Sequence, residues 1–323
     1  MNLRIVAWSF TFLFAVSSGS MYTQAYPTKP VRLIAPTGPG SPVDIRARWI
    51  AEALAPALGQ PVVVENKAGA GGNIGTEAAA KSAADGYTLV LAHQGTFAIN
   101  PHLYARAGYD PIADFAPVTR LVLSPMVLAA NPNLPVNSVP ELIRLAKEKP
   151  GQLTFGSAGN GTPPHMAGEL FRRTAKIDVV HVPYKGASPA LVDLMAGRIS
   201  YTLDSAAIQL PQIRTGKIKA LAVTGLKRLP SLPDVPTVSE SGLPGFEYWS
   251  WMGICAPAGT SKEIVSRLNR EIVAILGTQR AHEWFAAQGG EPARDTPEEF
   301  AAFIKAEYAK WGAIVRDAGI TVE

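Results

Sequence analysis

Cysteine is almost missing from this chain: Cys255 is the only one in 323 residues. No disulfide can therefore close within it, and a thiol so distant from the N-terminus argues against a lipid-anchored start. Cys255 reads as a buried free thiol rather than a nucleophile. Histidine is scarce too, at positions 93, 102, 165, 181 and 282, and no two stand at helical metal-ligand spacing. Neither a metal nor a cofactor is expected, and His181, inside an apolar strand pattern, reads as a satisfied core histidine. Beyond the first 25 residues no apolar run approaches the length of a membrane span. Basic residues number 30 against 26 acidic ones, but they are scattered rather than clustered. Nucleic acid is accordingly not an expected partner, while a mild basic excess suits a small anion.

Catalytic signatures are equally sparse. A nucleophile elbow needs glycine two residues before its serine, and Phe155 stands there before Ser157. The segment GAGGNIG resembles a dinucleotide loop, yet Ile74 occupies the place of the third glycine. Gly216-Lys217 is followed by Ile218, which rules out a phosphate-binding P-loop. The rival that remains is a secreted hydrolase or isomerase using Ser157 and His165, which share one loop-helix junction. No enzymatic activity is expected.

The first 25 residues read as an address. MNLR is a basic start, Ile5 to Val16 an apolar core, and Thr23-Gln24-Ala25 a small-residue cleavage site. The expectation is an exported, soluble chain beginning at Tyr26, with the net charge of +4 reduced to +3 by loss of Arg4. About 300 remaining residues exceed what one core usually fills, so two domains are expected.

Strand and helix patterns alternate: strands at 31–36, 62–65 and 88–92, with helices around 45–54 and 74–84. A second set follows, with strands at 126–130, 153–157, 179–183, 199–204 and 219–224 and helices at 139–148, 164–174 and 189–196. The chain returns through 251–257 to helices at 261–276 and 297–317. This order predicts an α/β fold in which each lobe is a mostly parallel sheet flanked by helices. The expected lobes are 26–123 with 247–323, and 124–246.

Three junctions share one construction: an apolar run, a glycine-bearing loop, then Ser or Thr before Pro at a helix start. They place Ser41, Thr162 and Ser188 as caps, with Pro where its missing N–H costs nothing. Each aims backbone N–H groups and the positive end of a helix beyond a strand end, where a carboxylate or phosphate is stabilised. Other helix starts provide a contrast. Ser138 with Glu141, Thr260 with Glu263 and Thr296 with Glu299 form expected capping boxes, in which the protein's own acid answers the helix end. Thr162 and Ser188 have His165 and Leu191 at that position and look open to an outside anion. Ser41 is intermediate, because Asp44 can close a box.

Four stretches then carry a specific resemblance: 65–89 (ENKAGAGGNIGTEAAAKSAADGYTL), 155–171 (FGSAGNGTPPHMAGELF), 181–199 (HVPYKGASPALVDLMAGRI) and 221–246 (LAVTGLKRLPSLPDVPTVSESGLPGF). In their order the chain resembles the Bug, or TctC-like, proteins, extracytoplasmic solute receptors of tripartite tricarboxylate transporters. The resemblance implies a two-lobed periplasmic-binding-protein (Venus flytrap) fold closing on a small carboxylate, often with bridging waters. It implies delivery of the ligand to a membrane permease or, in some members, signalling to a membrane partner such as a sensor kinase. A monomer is expected. Transferred by position, the ligand loops fall on Pro39, Gly40, Ser41 and Asp44, on Gln94 and Thr96, and on Ser157, Gly159, Asn160 and Thr162 with His165. Tyr184, Lys185, Gly186 and Asp204 complete the set. One departure stands out: the first loop usually reads Pro-Gly-Gly, whereas Ser41 takes the second glycine's place here.

Overall fold

The structure, a computed structural model, describes residues 26–318. The proposed leader at 1–25 lies outside the described residues. In chain order the first half runs β1 (Val31–Ala35), α1 (Pro42–Leu58), β2 (Val62–Asn66), α2 (Asn73–Ala80), β3 (Thr88–His93), α3 (Asn100–Leu103), β4 (Phe115–Ala130) and α4 (Val139–Glu148). It continues with β5 (Thr154–Ser157), α5 (Pro163–Ala175), β6 (Val180–Pro183), α6 (Ala187–Met195), β7 (Tyr201–Ser205), α7 (Ala206–Arg214) and β8 (Lys219–Val223). The return is β9 (Trp249–Pro257), α8 (Lys262–Leu276), α9 (Gln279–Ala287), β10 (Glu291–Pro292) and α10 (Pro297–Ala318).

The strands form two lobes joined by one long strand. In the first, β1 lies parallel between β2 and β3, and β9 runs antiparallel between β3 and β4. In the second, β5 lies parallel between β6 and β7. Residues Phe115–Pro125 of β4 pair with β9, whereas Met126–Ala130 pair with β7 and β8. One strand thus leaves the first sheet and enters the second without a loop. Within the first sheet β1 to β4 point one way against β9 and β10, and within the second β5 to β8 point one way against β4. Two-lobed α/β architecture with largely parallel strands is what the alternating pattern requires.

Both faces of the first sheet are buried, as in sheets covered on both sides. Leu33 and Ala35 face one core with Ile50, Leu54, Leu268 and Phe285, while Ile34 faces another with Val90, Phe97, Phe300 and Trp311. Trp49 of α1 stacks on Trp284 of α9 with ring centroids 4.9 Å apart. Cys255 is fully buried in β9, and burial pushes its thiol far above the usual range, which leaves it unreactive.

Several expectations needed correction. Strand β4 begins at Phe115 rather than at residue 126 and runs through Pro117. The ladder absorbs that proline with a register shift between Pro117 and Thr119. Helices α7 and α9 went unseen, the first because Pro211 sits inside it. Helix α2 ends at Ala80 rather than 84. Ser188 is not a cap: α6 starts at Ala187, two residues earlier than expected, capped by Gly186 at φ +120°, a conformation suited to glycine. The cap of α8 is Ser261, which accepts from the Ile264 N–H at 3.3 Å, while Thr260 donates to the Pro257 carbonyl.

Candidate functional site

Loops that leave the carboxyl ends of parallel strands are where α/β sheets bind ligands. Here one set follows β1, β2 and β3 and the other follows β5, β6 and β7. In the second lobe the loop after β5 is tied to itself. Ser157 is fully buried, and its Oγ stands 2.7 Å from His181 Nε2 while accepting the Gly159 N–H at 3.1 Å. Thr162 occupies the cap position of α5, yet its hydroxyl turns back to the Gly159 carbonyl at 2.6 Å rather than capping the helix. The Gly161 N–H donates to His165 Nδ1 at 3.2 Å, and the His165 and His181 rings stack with centroids 4.1 Å apart. Burial holds both imidazoles neutral, lowering His181 to about 3 with His165 adding to the effect.

The loop after β6 is tied to this one. Tyr184 N–H donates to the Ser157 carbonyl and Gly186 N–H to the Ala158 carbonyl. The Tyr184 hydroxyl points elsewhere, donating to Asp193 at 2.7 Å; burial, then Asp193, pushes it up to about 12. Lys185 is exposed. Pro163 and Pro164 remove two of the N–H groups that α5 would have offered, so α6, with no side-chain cap, is the more open helix end. Asp204 is the last-but-one residue of β7, only 6 % exposed, with Oδ1 accepting the Ser205 N–H at 2.7 Å. Burial raises its pKa to about 7, partly offset by that bond.

In the first lobe the Ser41 junction closes on itself. Ser41 Oγ accepts the Asp44 N–H at 3.2 Å, and Asp44 answers the Gly40 N–H at 2.8 Å. Burial alone would raise the Asp44 pKa, but bonds from Arg48, Gly40 and Asn66 outweigh it and hold the carboxyl below the usual range. Pro39 and Gly40 stay exposed at the tip. Gln94 is fully buried and engaged: its Nε2 donates to the Trp249 carbonyl and to Glu307, and its Oε1 accepts from Tyr248. Glu307 Oε2 also accepts from Trp251 and Trp311 Nε1, each at 3.1 Å. Gln94 therefore positions the strands near the crossing. Thr96 is buried beside it, with its carbonyl accepting from the Tyr109 hydroxyl at 2.7 Å.

The two sets of loops meet. Tyr104 donates to the Asn160 carbonyl at 3.3 Å, and Tyr248 reaches both Gln94 and the Pro163 carbonyl, at 2.7 and 3.0 Å. A methyl group at Gly95 would stand 3.3 Å from the Gly161 carbonyl, and one at Gly161 would overlap Asn100 Oδ1. The glycines are what let the lobes approach.

Some polar groups here are unpartnered among the described residues, and the motifs did not flag most of them. His93 Nδ1 accepts the Gly95 N–H, which puts the proton on Nε2, and that N–H finds no acceptor. Burial lowers this histidine to about 4. Arg46 is 1 % exposed; it donates to the Pro42 carbonyl and Ser124 Oγ, each at 3.2 Å, and its Nε is unpaired. Burial lowers its pKa to about 10, with no carboxylate opposing the shift. A signal existed: Arg46 interrupts the apolar stripe of Val43, Ala47, Ile50 and Leu54 at helical spacing. A surface groove of about 480 Å³ beside Pro140, Ile143 and Arg144 belongs to neither set of loops.

Residues 46–320 match the family described as tripartite tricarboxylate transporter family receptor. The chain is 40 % identical to protein BugT of Bordetella pertussis over 295 residues, 91 % of this chain and 90 % of that protein. Among solved structures it resembles Rhodopseudomonas palustris Rpa4515 with adipate (TM-score 0.89, 38 % identity, covering 92 % of this chain and all of that one). It also resembles the same organism's MatC with bound malate (TM-score 0.84, 33 % identity, covering 90 % and 100 %) and the periplasmic binding protein BugD (TM-score 0.86, 37 % identity, covering 92 % and 100 %).

Proposed function

The chain belongs to the tripartite tricarboxylate transporter receptor family, and from that premise we propose a periplasmic receptor that closes on a small carboxylate and passes it to a membrane permease. The observation that carries this reading is the meeting of both sets of strand-end loops around Asn160 and Gly161. A ligand held there touches both lobes at once and so selects the closed arrangement. The relatives solved with adipate and malate support an acid as the ligand.

The groups left to meet a carboxylate differ from those the motifs suggested. Ser157 and Thr162 shape the second-lobe loop through Gly159, and Tyr184 and Gln94 are engaged elsewhere. The Asn160 side chain and the uncapped start of α6 are available from the second lobe, and the tip at Pro39 to Ser41 from the first. The lobes divide where β4 changes partners, near residue 124, and again before β9, near 247. Residues 1–25 act as the export leader in this reading, and the chain works as a monomer. Ser157 beside His181 belongs to the loop's framework rather than to a hydrolytic site.

A thermal-shift screen of the chain from Tyr26, against small carboxylates and their neutral amides, tests the proposal. A ligand at about 100 times its dissociation constant stabilises the fold by roughly 2.7 kcal/mol. The expected result is a shift with an acid that vanishes with the matching amide. Equal shifts with both, or none with any acid, would overturn the carboxylate reading.

A further inference from the structure

Arg46 is a buried charge that no ion pair answers among the described residues. Its guanidinium has five N–H donors, of which bonds to the Pro42 carbonyl and Ser124 Oγ occupy two, leaving three. Nε is buried without an acceptor, and no ion pair reaches the side chain among the described residues. Arg48, two residues further along α1, is by contrast exposed and paired with Asp44 at 3.0 Å. Burying a cation without an anion is among the costliest arrangements a fold can carry.

The position of the guanidinium gives that cost a use. Helix α1 packs beside β2, β1 and β3, whereas Ser124 lies on β4, beyond β9 in the sheet order β2-β1-β3-β9-β4. The side chain therefore reaches past the amino end of β9 to β4. Ser124 is the last-but-one residue before β4 crosses to the second lobe, and it faces Ser250 at the start of β9. Its two bonds hold the buried guanidinium between the start of α1, where the first-lobe loop enters the helix, and the strand that crosses between the lobes.

We propose that Arg46 is the cation that receives the second carboxylate of a dicarboxylate ligand, the first being held by the second-lobe loops. This rests on the carboxylate reading above. Three unpartnered N–H groups on a planar fork match the two oxygens of a carboxylate, and a charge-assisted pair of that kind outlasts neutral hydrogen bonding in a water-poor site. The ligand class follows: an α,ω-diacid binds better than the monoacid of equal chain length, which leaves the arginine unanswered.

The test is calorimetric titration of the chain from Tyr26 with saturated diacids of two to six carbons and their matched monoacids. At the best-fitting length the diacid should bind about 10- to 100-fold tighter. In Arg46→Met, which keeps the length without the charge, that preference should disappear, and the ligand-free melting temperature should hold or rise because an uncompensated charge has gone. Arg46→Lys, which keeps charge without the fork, should fall between. Diacids and monoacids that bind the unaltered chain equally at every length would overturn the role of Arg46 while leaving the carboxylate reading intact. A diacid preference that survives in Arg46→Met would do the same. A lower ligand-free melting temperature with all acids weakened alike would make Arg46 a packing residue. No binding of any acid to the unaltered chain would remove both proposals.

Discussion

The two edges of the cleft differ in how completely their buried polar groups are answered. On the second-lobe edge polar side chains answer one another: Ser157 meets His181, Thr162 meets Gly159, and Tyr184 meets Asp193, which Arg198 pairs at 2.7 Å. On the first-lobe edge a buried arginine and a histidine N–H remain unanswered. Each edge keeps one buried charge-bearing group without a counter-charge, Asp204 on the second and Arg46 on the first. The second-lobe contacts fall within the stretches 155–171 and 181–199 that carry the family resemblance, and Arg46 and His93 fall outside all such stretches. The self-answered contacts thus lie within the shared motifs, and the unanswered groups of the first-lobe edge lie outside them.

The comparison breaks most visibly at Asp204. Its folded pKa of about 7 lies above the ordinary value of 3.8, so the native state keeps a proton that the unfolded chain releases. Stability from this group is whole below about pH 4 and is lost as pH rises toward and through 7. Asp204→Asn should remove that slope, leaving the variant roughly 2–4 kcal/mol more stable than the parent at pH 8 and equal to it at pH 4. Urea unfolding at both values measures it. Parallel pH profiles for the two proteins would show that Asp204 is answered after all.

Gly161 tests the contact between the edges. Its φ of +73° and the overlap with Asn100 Oδ1 make alanine costly there, by about 1–3 kcal/mol. Because part of that cost arises only when the lobes meet, acid affinity in Gly161→Ala should fall further than stability, as titration alongside unfolding would reveal. Ser157→Ala sharpens the contrast within the second lobe. It removes bonds to His181 and Gly159 and should cost about 1–2 kcal/mol of stability, with weaker ligand binding as a consequence. Ser138→Ala should have the smallest effect, about 1 kcal/mol of stability, and none on affinity, since its Oγ only accepts the Glu141 N–H. Equal losses of affinity in the two serine variants would erase the distinction between cleft loops and ordinary caps.

The fold was largely legible because its alternation of strand and helix is dictated by side-chain period. Legibility failed in elements that contain proline, Pro117 in β4 and Pro211 in α7. In the site, the sequence places the loops at strand ends but does not say which way their hydroxyls turn. Sequence assigns a hydroxyl such as Thr162 to a ligand or to a cap with equal ease, and only packing shows it turned onto Gly159. Gln94 likewise depends on Tyr248 and Glu307, more than 150 residues away in each case. The Thr296 box behaved as read, with Glu299 accepting the Thr296 N–H at 2.8 Å, because both partners are local.

A crystal structure of the chain with the acid that stabilises it most would test the central claim most directly. The account predicts the acid enclosed between the lobes, one carboxylate at the loop of Asn160 and the start of α6, with contacts from the first-lobe edge at the same time. An acid bound to one lobe only, with the loops around Asn160 and Tyr104 apart, would contradict it.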